Sequence, residues 1–456
     1  MNARSKVSFI ILAIITSVSV LLSSCGAAPA AKPTTAPVQP ATQAPVATQA
    51  PAPTGDTMEK AALSMWGFGG DTDTFTPEII KRFEAKYPNV TVEYTDIPED
   101  SYTTKLETAM MADAAPDIVT LYKTEWLKAG KFIPVDDVYA SANVNIADMN
   151  QGALWSCQYA GKTYGVGTYT GGVLLFYNRA MFDAAKLPYP SATVPMTVDE
   201  YAALAAKLTQ KGAKPEDTVY GGDARAPYWW SDLRTMFSED GKSMDGVFDS
   251  ASNVHMYDVL AHMVINGDAP SPDALTVANS SAQDLISQGK MAMGIMDDNE
   301  LATVAFETNH ISYGVAPTPV AEKGDKAWVS SWTDCEGIPT TSKNIQAARN
   351  FLAFYLVEGN QLREETGTLP LNMKLANDLK WANSGDTVGR QSELTAISQA
   401  RASIMVPDFW DVIAPIDGAY ADITEGKSDT KTAIAGIMQP MKDALATAWE
   451  TWDAIK

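Results

Sequence analysis

Three consecutive aromatic residues, Tyr228, Trp229 and Trp230, follow Arg225-Ala226-Pro227 in a stretch with the composition of a loop. Aromatic rings pack against the apolar C–H faces of a pyranose, while the sugar hydroxyls need fixed donors and acceptors around the ring. The chain has 11 Trp and 17 Tyr, ample material for such a wall. Three neighbouring rings cannot all point one way, so we expect at least one in the core and Trp229 or Trp230 against a ligand.

Polar residues that follow predicted strands are the second group able to hold a ligand. Phe68 and Asp71 come just after the first predicted strand, Glu125 follows the third, and Asp298 follows a later buried run. Carboxylates accept hydrogen bonds from hydroxyl groups, and bonds to a charged acceptor are the stronger kind. The same carboxylates could instead be solvated loop charges, or could suit an amine-bearing ligand.

Sequence motifs for covalent, phosphate and metal chemistry are missing. Gly161-Lys162-Thr163 looks like the end of a phosphate-binding loop, but position 156 holds Ser where that loop needs Gly. The chain has three His, no His-Glu-x-x-His and no Gly-x-Ser-x-Gly. We therefore predict no metal, no cofactor and no enzyme. Glycoside hydrolysis by two facing carboxylates stays open, because their separation is a structural quantity.

The N-terminus predicts export. Arg4 and Lys6 precede an uncharged apolar run at 7–22, and Leu22-Ser23-Ser24-Cys25 resembles the lipobox of bacterial lipoproteins. The run is short for a spanning helix, which needs roughly 20 residues, although an uncleaved anchor is the alternative. We expect a signal peptide at 1–24 and a diacylated Cys25 that holds the protein on the outer face of the cytoplasmic membrane.

A flexible connection should follow the lipidated cysteine. Residues 26–55 contain seven Pro, no aromatic residue and one charge, Lys32, so they cannot bury enough apolar surface to order themselves. We predict a disordered, semi-extended tether over 25–58. The remaining body of about 400 residues is too long for one typical hydrophobic core and fits two lobes. The full chain has a net charge of −21, and this acidity disfavours nucleic acid as a partner.

Two cysteines remain in the exported body, Cys157 and Cys335. The compartment permits oxidation, but the sequence cannot show that the two residues are close together. A disulfide and a pair of buried free thiols therefore both stay possible.

Alternation of strand and helix signals predicts an open α/β sheet. Apolar strands at 63–67, 90–94 and 116–121 are separated by amphipathic helices, the first of which begins near Thr76 and Pro77. Ligands of such sheets bind beyond the carboxyl ends of the strands. The loops at 67–71 and 121–125 are therefore candidate binding loops.

An ordered series of segments resembles the family 1 extracellular solute-binding proteins of ABC importers, the maltose-binding-protein type. The segments that carry this resemblance are Phe83-Glu84-Ala85-Lys86-Tyr87-Pro88, Ala115-Pro116-Asp117-Ile118-Val119, Phe176-Tyr177-Asn178-Arg179, Gln288-Gly289-Lys290-Met291-Ala292-Met293, Ser342-Lys343-Asn344 and Gly367-Thr368-Leu369-Pro370. They span essentially the whole body, and their order is more specific than any one of them.

The resemblance implies a type II periplasmic-binding-protein fold, with two α/β lobes joined by three hinge crossovers. By analogy the N-terminal lobe takes 59–173 and 297–343, and the C-terminal lobe takes 176–294 and 347–456. Hinges are then expected near Val173–Phe176, Ile295–Asp297 and Asn344–Ala347.

The resemblance also implies ligand contacts at Trp332 and Asp334, in the position of a cleft loop, and at Trp410, in a late aromatic contact region. Where many relatives have an aromatic residue after the 290–296 run, this chain has Met296-Asp297-Asp298-Asn299. The implied function is a monomeric subunit that delivers a mono- or oligosaccharide to the transmembrane permease. A polyamine, glycerol phosphate or peptide ligand, a lipid-anchored hydrolase and a receptor adaptor are the alternatives.

Overall fold

The structure is a computed structural model that describes residues 58–68, 74–214, 217–271, 274–275, 280–296, 299–326 and 329–455. The strands are β1 Ala61–Gly67, β2 Val90–Asp96, β3 Ile118–Leu121, β4 Gln158–Tyr159, β5 Lys162–Thr163, β6 Gly165–Val166, β7 Gly171–Gly172, β8 Leu174–Asn178, β9 Met293–Met296, β10 Tyr313–Ala316, β11 Ser331–Trp332 and β12 Cys335–Gly337. The helices are α1 Phe75–Lys86, α2 Glu99–Met111, α3 Thr124–Lys128, α4 Asp136–Ser141, α5 Gln151–Leu154, α6 Arg179–Ala185, α7 Val198–Leu208, α8 Ala251–Ile265, α9 Ala282–Ser287, α10 Asn299–Thr308, α11 Ile345–Glu365, α12 Met373–Asp378, α13 Thr387–Ile397, α14 Phe409–Ile413, α15 Pro415–Thr424 and α16 Thr430–Ala454.

A five-stranded sheet with the order β2-β1-β3-β12-β6 organises the first lobe. Strand β1 runs parallel to β2 and β3, and β12 lies antiparallel between β3 and β6. Alternate residues of β1, Leu63 and Met65, are buried together with Ile79 and Phe83 of α1. Residues two apart in the strand and four apart in the helix therefore face one core. The carboxyl ends of β1 and β3 lie side by side at one edge.

A three-stranded antiparallel sheet with the order β10-β8-β9 organises the second lobe. Both faces of this sheet are covered, so all five residues of β8 are buried, and the strand does not alternate between buried and exposed positions. Leu175 and Tyr177 face one core cluster, while Leu174 and Phe176 face another.

Two segments lie in the other lobe from the one predicted for them. Strand β10, expected in the N-terminal lobe, pairs with β8, and Phe306 of the preceding helix packs in the same core. Helix α11, expected in the C-terminal lobe, packs Phe351 and Leu352 into the first core. Apolar periodicity shows that a segment is buried but not against which sheet it is buried, so the boundaries drawn from analogy were misplaced.

Three chain segments, 168–173, 329–333 and 368–371, connect the two lobes side by side. Strand β7 pairs with β11, and the backbone amide of Thr170 donates to the carbonyl of Leu369 at 2.9 Å. The first segment adjoins the hinge expected near Val173. The other two expected hinges fall inside lobes, because Ile295 belongs to β9 and Ile345 begins α11.

Candidate ligand-binding site

Two large rings lie next to each other on the second lobe, and we call Trp229 and Trp410 the aromatic platform. Their ring centroids are 5.5 Å apart and their planes are tilted by 49°. Trp229 ends a 3-10 turn that begins at Pro227, and Trp410 lies in the first turn of α14. The side chains are 37% and 55% exposed. A ligand can therefore reach both rings.

Neighbouring side chains support the platform from behind. The guanidinium carbon of Arg225 lies 5.5 Å from the Trp229 ring centroid. Tyr228 is buried against the same ring, with centroids 5.3 Å apart, and its hydroxyl donates to Asp417 at 2.5 Å. Burial, followed by this hydrogen bond, raises the pKa of Tyr228. Tyr228 is thus a supporting residue in this structure rather than part of the exposed wall expected from the sequence.

Trp230 points the opposite way from its neighbour. Its side chain is 0% exposed within the second core, and its indole nitrogen donates to the Arg225 carbonyl at 3.0 Å. Trp230 is therefore the core residue that we expected among the three rings, and Trp229 is the accessible tryptophan of the trio. Ligand contact at Trp229 stays a prediction.

A polar and aromatic group lies at the carboxyl ends of β1 and β3 in the first lobe. The Phe68 ring contacts Tyr122 at 5.4 Å, and the Tyr122 hydroxyl donates to Glu99 at 3.1 Å. Burial raises the pKa of Tyr122 to about 12, and the Glu99 carboxylate adds to the shift. Sequence reasoning singled out the loop at 121–125 but overlooked Tyr122 and Glu99. The position of Tyr122, directly after β3, was the available signal.

Asp334 lies beside this group, because the following residue, Cys335, is paired with Leu121 at the end of β3. Its side chain is exposed, yet the protein around it raises its pKa through desolvation. A hydrogen bond from Tyr169 and the charge of Arg363 act in the opposite direction. We call Asp334 and the neighbouring group of Phe68, Tyr122 and Glu99 the floor of the candidate site, because they are the accessible polar and aromatic groups at this end of the sheet.

Arg363 lies near Asp334 and is held in place by its neighbours. Its guanidinium carbon lies 3.5 Å from the Phe75 ring centroid and 5.0 Å from that of Tyr169. The Nε atom donates to Thr168 at 3.4 Å. The cation is therefore fixed between two rings close to the crossovers, where its charge favours an ionised Asp334.

Cys157 and Cys335 form a disulfide whose Cα atoms are 5.5 Å apart. Adjacent hydrogen bonds fasten the same two segments. The Trp155 indole donates to the Ser331 carbonyl at 3.1 Å, and the Ser156 hydroxyl donates to the Thr333 carbonyl at 3.0 Å. These links hold the backbone on both sides of Asp334, so the disulfide positions the floor of the site.

Trp332 and Glu125, both expected to contact ligand, occupy different settings. Trp332 is half-buried in β11 and packs against the second core. A Cβ atom on Gly171 would approach its indole nitrogen to 2.7 Å, so the ring lies across the crossover. Glu125 is half-buried in the first turn of α3, close in sequence to Tyr122. Ligand contact at either residue stays a prediction.

Asp71, Asp298 and Cys25 lie outside the described residues, as do the predicted signal peptide and nearly all of the tether. Within the described ranges, no cluster of three or more His, Cys, Asp or Glu residues has the arrangement of a metal site. None of the helices in that part of the chain is long and apolar enough to cross a membrane.

Comparison with known proteins identifies the family. Residues 69–362 match the model described as bacterial extracellular solute-binding protein. A putative binding protein of Brucella abortus is 25% identical over 401 residues, 84% of this chain and 90% of that protein. The arabinooligosaccharide-binding protein of Bacillus subtilis is 23% identical over 314 residues, which cover 64% of this chain and 68% of the Bacillus protein.

Solved structures share the fold. The substrate-binding protein of Listeria monocytogenes in complex with cycloalternan superposes with a TM-score of 0.70 at 20% identity, covering 85% of this chain and all of that one. The likeness confirms the two-lobed type II periplasmic-binding-protein fold expected from the sequence. With the family model matching well over half of its residues, the chain belongs to the bacterial extracellular solute-binding proteins.

Proposed function

We propose that this chain captures a carbohydrate between its two lobes and delivers it to the transmembrane permease of an ABC importer. The observation that carries the proposal is the aromatic platform, where Trp229 and Trp410 keep 37% and 55% of their surface exposed. Water-exposed indole rings beside each other form a surface on which the C–H face of a sugar packs, and large exposed aromatic groups mark binding sites.

The first lobe supplies groups suited to the sugar hydroxyls. Asp334 and Glu99 accept hydrogen bonds, while Tyr122 can donate or accept. The chain passes from one lobe to the other in the three crossover segments, so a hinge motion there brings the two sets of groups together around a guest. The ligand must bind the closed form better than the open form, since equal affinity would shift nothing.

The named relatives support this ligand class. One relative is described as binding arabinooligosaccharides, and one structural neighbour was solved with cycloalternan. The proposal includes export of the chain, cleavage before Cys25 and lipidation of that cysteine. The lipid keeps the monomeric receptor at the outer face of the membrane, beside its permease. No reaction on the ligand is required of the chain.

A calorimetric titration of the purified protein tests the proposal. The panel is maltotriose, arabinotriose, spermidine and glycerol 3-phosphate, and we expect saturable binding of an oligosaccharide with a heat capacity change of negative sign, because apolar surface is buried. Binding of spermidine with none of the sugars would replace the carbohydrate assignment by a cationic ligand. That alternative is favoured by one observation, the two carboxylates Asp334 and Glu99 in the first-lobe group.

An assay with chromogenic glycosides tests the proposed absence of catalysis. We expect no release of the chromophore above the level of a control protein. Steady release that disappears in Asp334→Asn would instead indicate a hydrolase.

A further inference from the structure

Arg363 lies in the last turn of α11, where the helix passes close to the first crossover segment. One turn earlier, a Cβ atom on Gly359 would lie 2.6 Å from the Cγ2 atom of Thr168, so only glycine allows this approach. The next residue, Asn360, donates to the Gly167 carbonyl at 3.4 Å and accepts from the Asn372 amide at 2.8 Å. The backbone that carries Arg363 is therefore fixed against the crossover.

The guanidinium group of Arg363 is held by its faces and by one nitrogen, and its outer edge is left over. The Phe75 and Tyr169 rings pack against it, and Nε donates to Thr168. Within the described part of the chain, Nη1 and Nη2 have no hydrogen-bond partner, and neither of them is a fully buried atom. Solvent reaches these N–H groups, so a ligand can reach them too.

Asp334 and Arg363 share Tyr169 as a neighbour. The Tyr169 hydroxyl donates to Asp334, and the Tyr169 ring lies 5.0 Å from the Arg363 guanidinium carbon. The charge of Arg363 acts to lower the pKa of Asp334, yet these two side chains do not form an ion pair with each other. The carboxylate and the guanidinium edge are thus close together without satisfying one another.

The chemistry of the two groups specifies what fits both. A guanidinium only donates hydrogen bonds and a carboxylate only accepts them, whereas a sugar hydroxyl does both. Hydroxyl groups on neighbouring carbons can therefore accept from Arg363 and donate to Asp334. A ligand carboxylate would be repelled by Asp334, and a ligand ammonium would be repelled by Arg363, because like charges placed side by side are costly. The opposite charges together favour an uncharged, hydroxyl-bearing ligand.

We propose that Arg363 is a ligand-binding residue that pairs with Asp334 to select uncharged oligosaccharides over amino sugars and uronic acids. The inference rests on the proposed function and narrows its substrate class. Arg363 is needed for this selectivity because the full chain has a net charge of −21, which by itself attracts cationic ligands. Removal of either partner leaves one charge uncompensated, so the two removals should change the charge preference in opposite directions.

Calorimetric titrations of wild type, Arg363→Met and Asp334→Asn test the pair. The ligands are maltotriose or arabinotriose, whichever wild type binds better, together with the trimers of glucosamine and of galacturonic acid. We expect Arg363→Met to weaken binding of the neutral sugar about tenfold or more, because charge-assisted hydrogen bonds are lost. Its preference for the neutral trimer over the glucosamine trimer should fall. In Asp334→Asn the preference for the neutral trimer over the galacturonic acid trimer should fall instead.

Two further variants separate charge and geometry from general damage. Arg363→Lys keeps the charge but loses the planar fork, so it should still disfavour the glucosamine trimer while binding the neutral sugar more weakly than wild type. It also serves if Arg363→Met does not fold. Arg82→Met is the matched control, because Arg82 is a half-buried arginine of the first lobe that pairs with Glu78 and Glu365 at the surface. We expect the control to bind like wild type.

The outcomes distinguish this inference from the proposed function. A wild type that binds a neutral sugar, with Arg363→Met equal to it in affinity, would overturn the inference alone. So would charge preferences that change in the same direction in Arg363→Met and Asp334→Asn. A wild type that binds no oligosaccharide of the panel would overturn the proposed function, and the pairing of Arg363 with Asp334 on sugar hydroxyls would be overturned with it.

Discussion

Replacing Trp410 by Ala removes the more exposed ring of the aromatic platform and should weaken sugar binding strongly. A Trp side chain buries 150–250 Å² when fully covered, so the 55% that is exposed leaves about 100 Å² for a ligand to cover. At about 25 cal/mol per Å² this area contributes about 2.5 kcal/mol, which corresponds to about 70-fold in the dissociation constant. Retained contact with Trp229 reduces the loss, so we expect between about 10-fold and 70-fold.

Calorimetric titration of Trp410→Ala with the sugar that wild type binds best gives this ratio directly. Tyr189→Ala is the matched control, because Tyr189 is also an aromatic residue of the second lobe and is 44% exposed, yet it contacts Tyr177 rather than the platform. We expect the control to bind like wild type. Undiminished affinity of Trp410→Ala, with the control also unchanged, would refute the assignment of the platform as the sugar-stacking surface.

Three further predictions concern the floor and the crossovers. Reduction of the Cys157–Cys335 disulfide, which spans 178 residues, should lower the free energy of unfolding by about 2–5 kcal/mol in guanidinium titrations; coincident curves with and without reductant would contradict this. The raised pKa of Asp334 means that the folded protein binds this proton more tightly than the unfolded chain, so its ionisation costs stability as pH rises through the folded-state pKa. Asp334→Asn should therefore be more stable than wild type at neutral pH, and this difference should vanish below the ordinary Asp pKa. The ligand affinity of wild type should fall on acidification, whereas that of Asp334→Asn should not. Parallel pH profiles of affinity for the two proteins would count against Asp334 as a carboxylate acceptor. Gly171→Ala should lower the free energy of unfolding by about 1–3 kcal/mol, because the added methyl group meets Trp332. Gly436→Ala should raise it by about 0.5–1 kcal/mol, because nothing lies near the added methyl group and alanine suits a helix better than glycine. Equal thermal midpoints for the two variants would contradict the close contact between Gly171 and Trp332.

Local patterns in the sequence predicted the strands and helices of the first lobe well, because each is specified by its own periodicity. Val90 and Val92 alternate with polar neighbours, and Ile79 and Phe83 share a helix face, so burial of all four follows from the chain alone. The lobe to which β10 and α11 belong did not follow, since Tyr313 and Phe351 look equally apolar whichever sheet they cover. Long-range pairing decides that question, and a single sequence does not record it.

The candidate site was predictable in kind but not in detail. Adjacent aromatic residues point in different directions, so which of Trp229 and Trp230 is exposed depends on the backbone turn after Pro227. Tyr122 was missed because one tyrosine after a strand differs little from a core residue until its neighbours are known. Proximity of Cys157 and Cys335 likewise depends on packing between residues 178 positions apart.

Closure of the two lobes over a sugar is the central claim, and small-angle scattering of wild type with and without ligand tests it most directly. The radius of gyration should decrease on addition of saturating maltotriose or arabinotriose, and it should not change with a sugar that shows no heat of binding. An unchanged radius at a concentration where calorimetry shows full occupancy would contradict it.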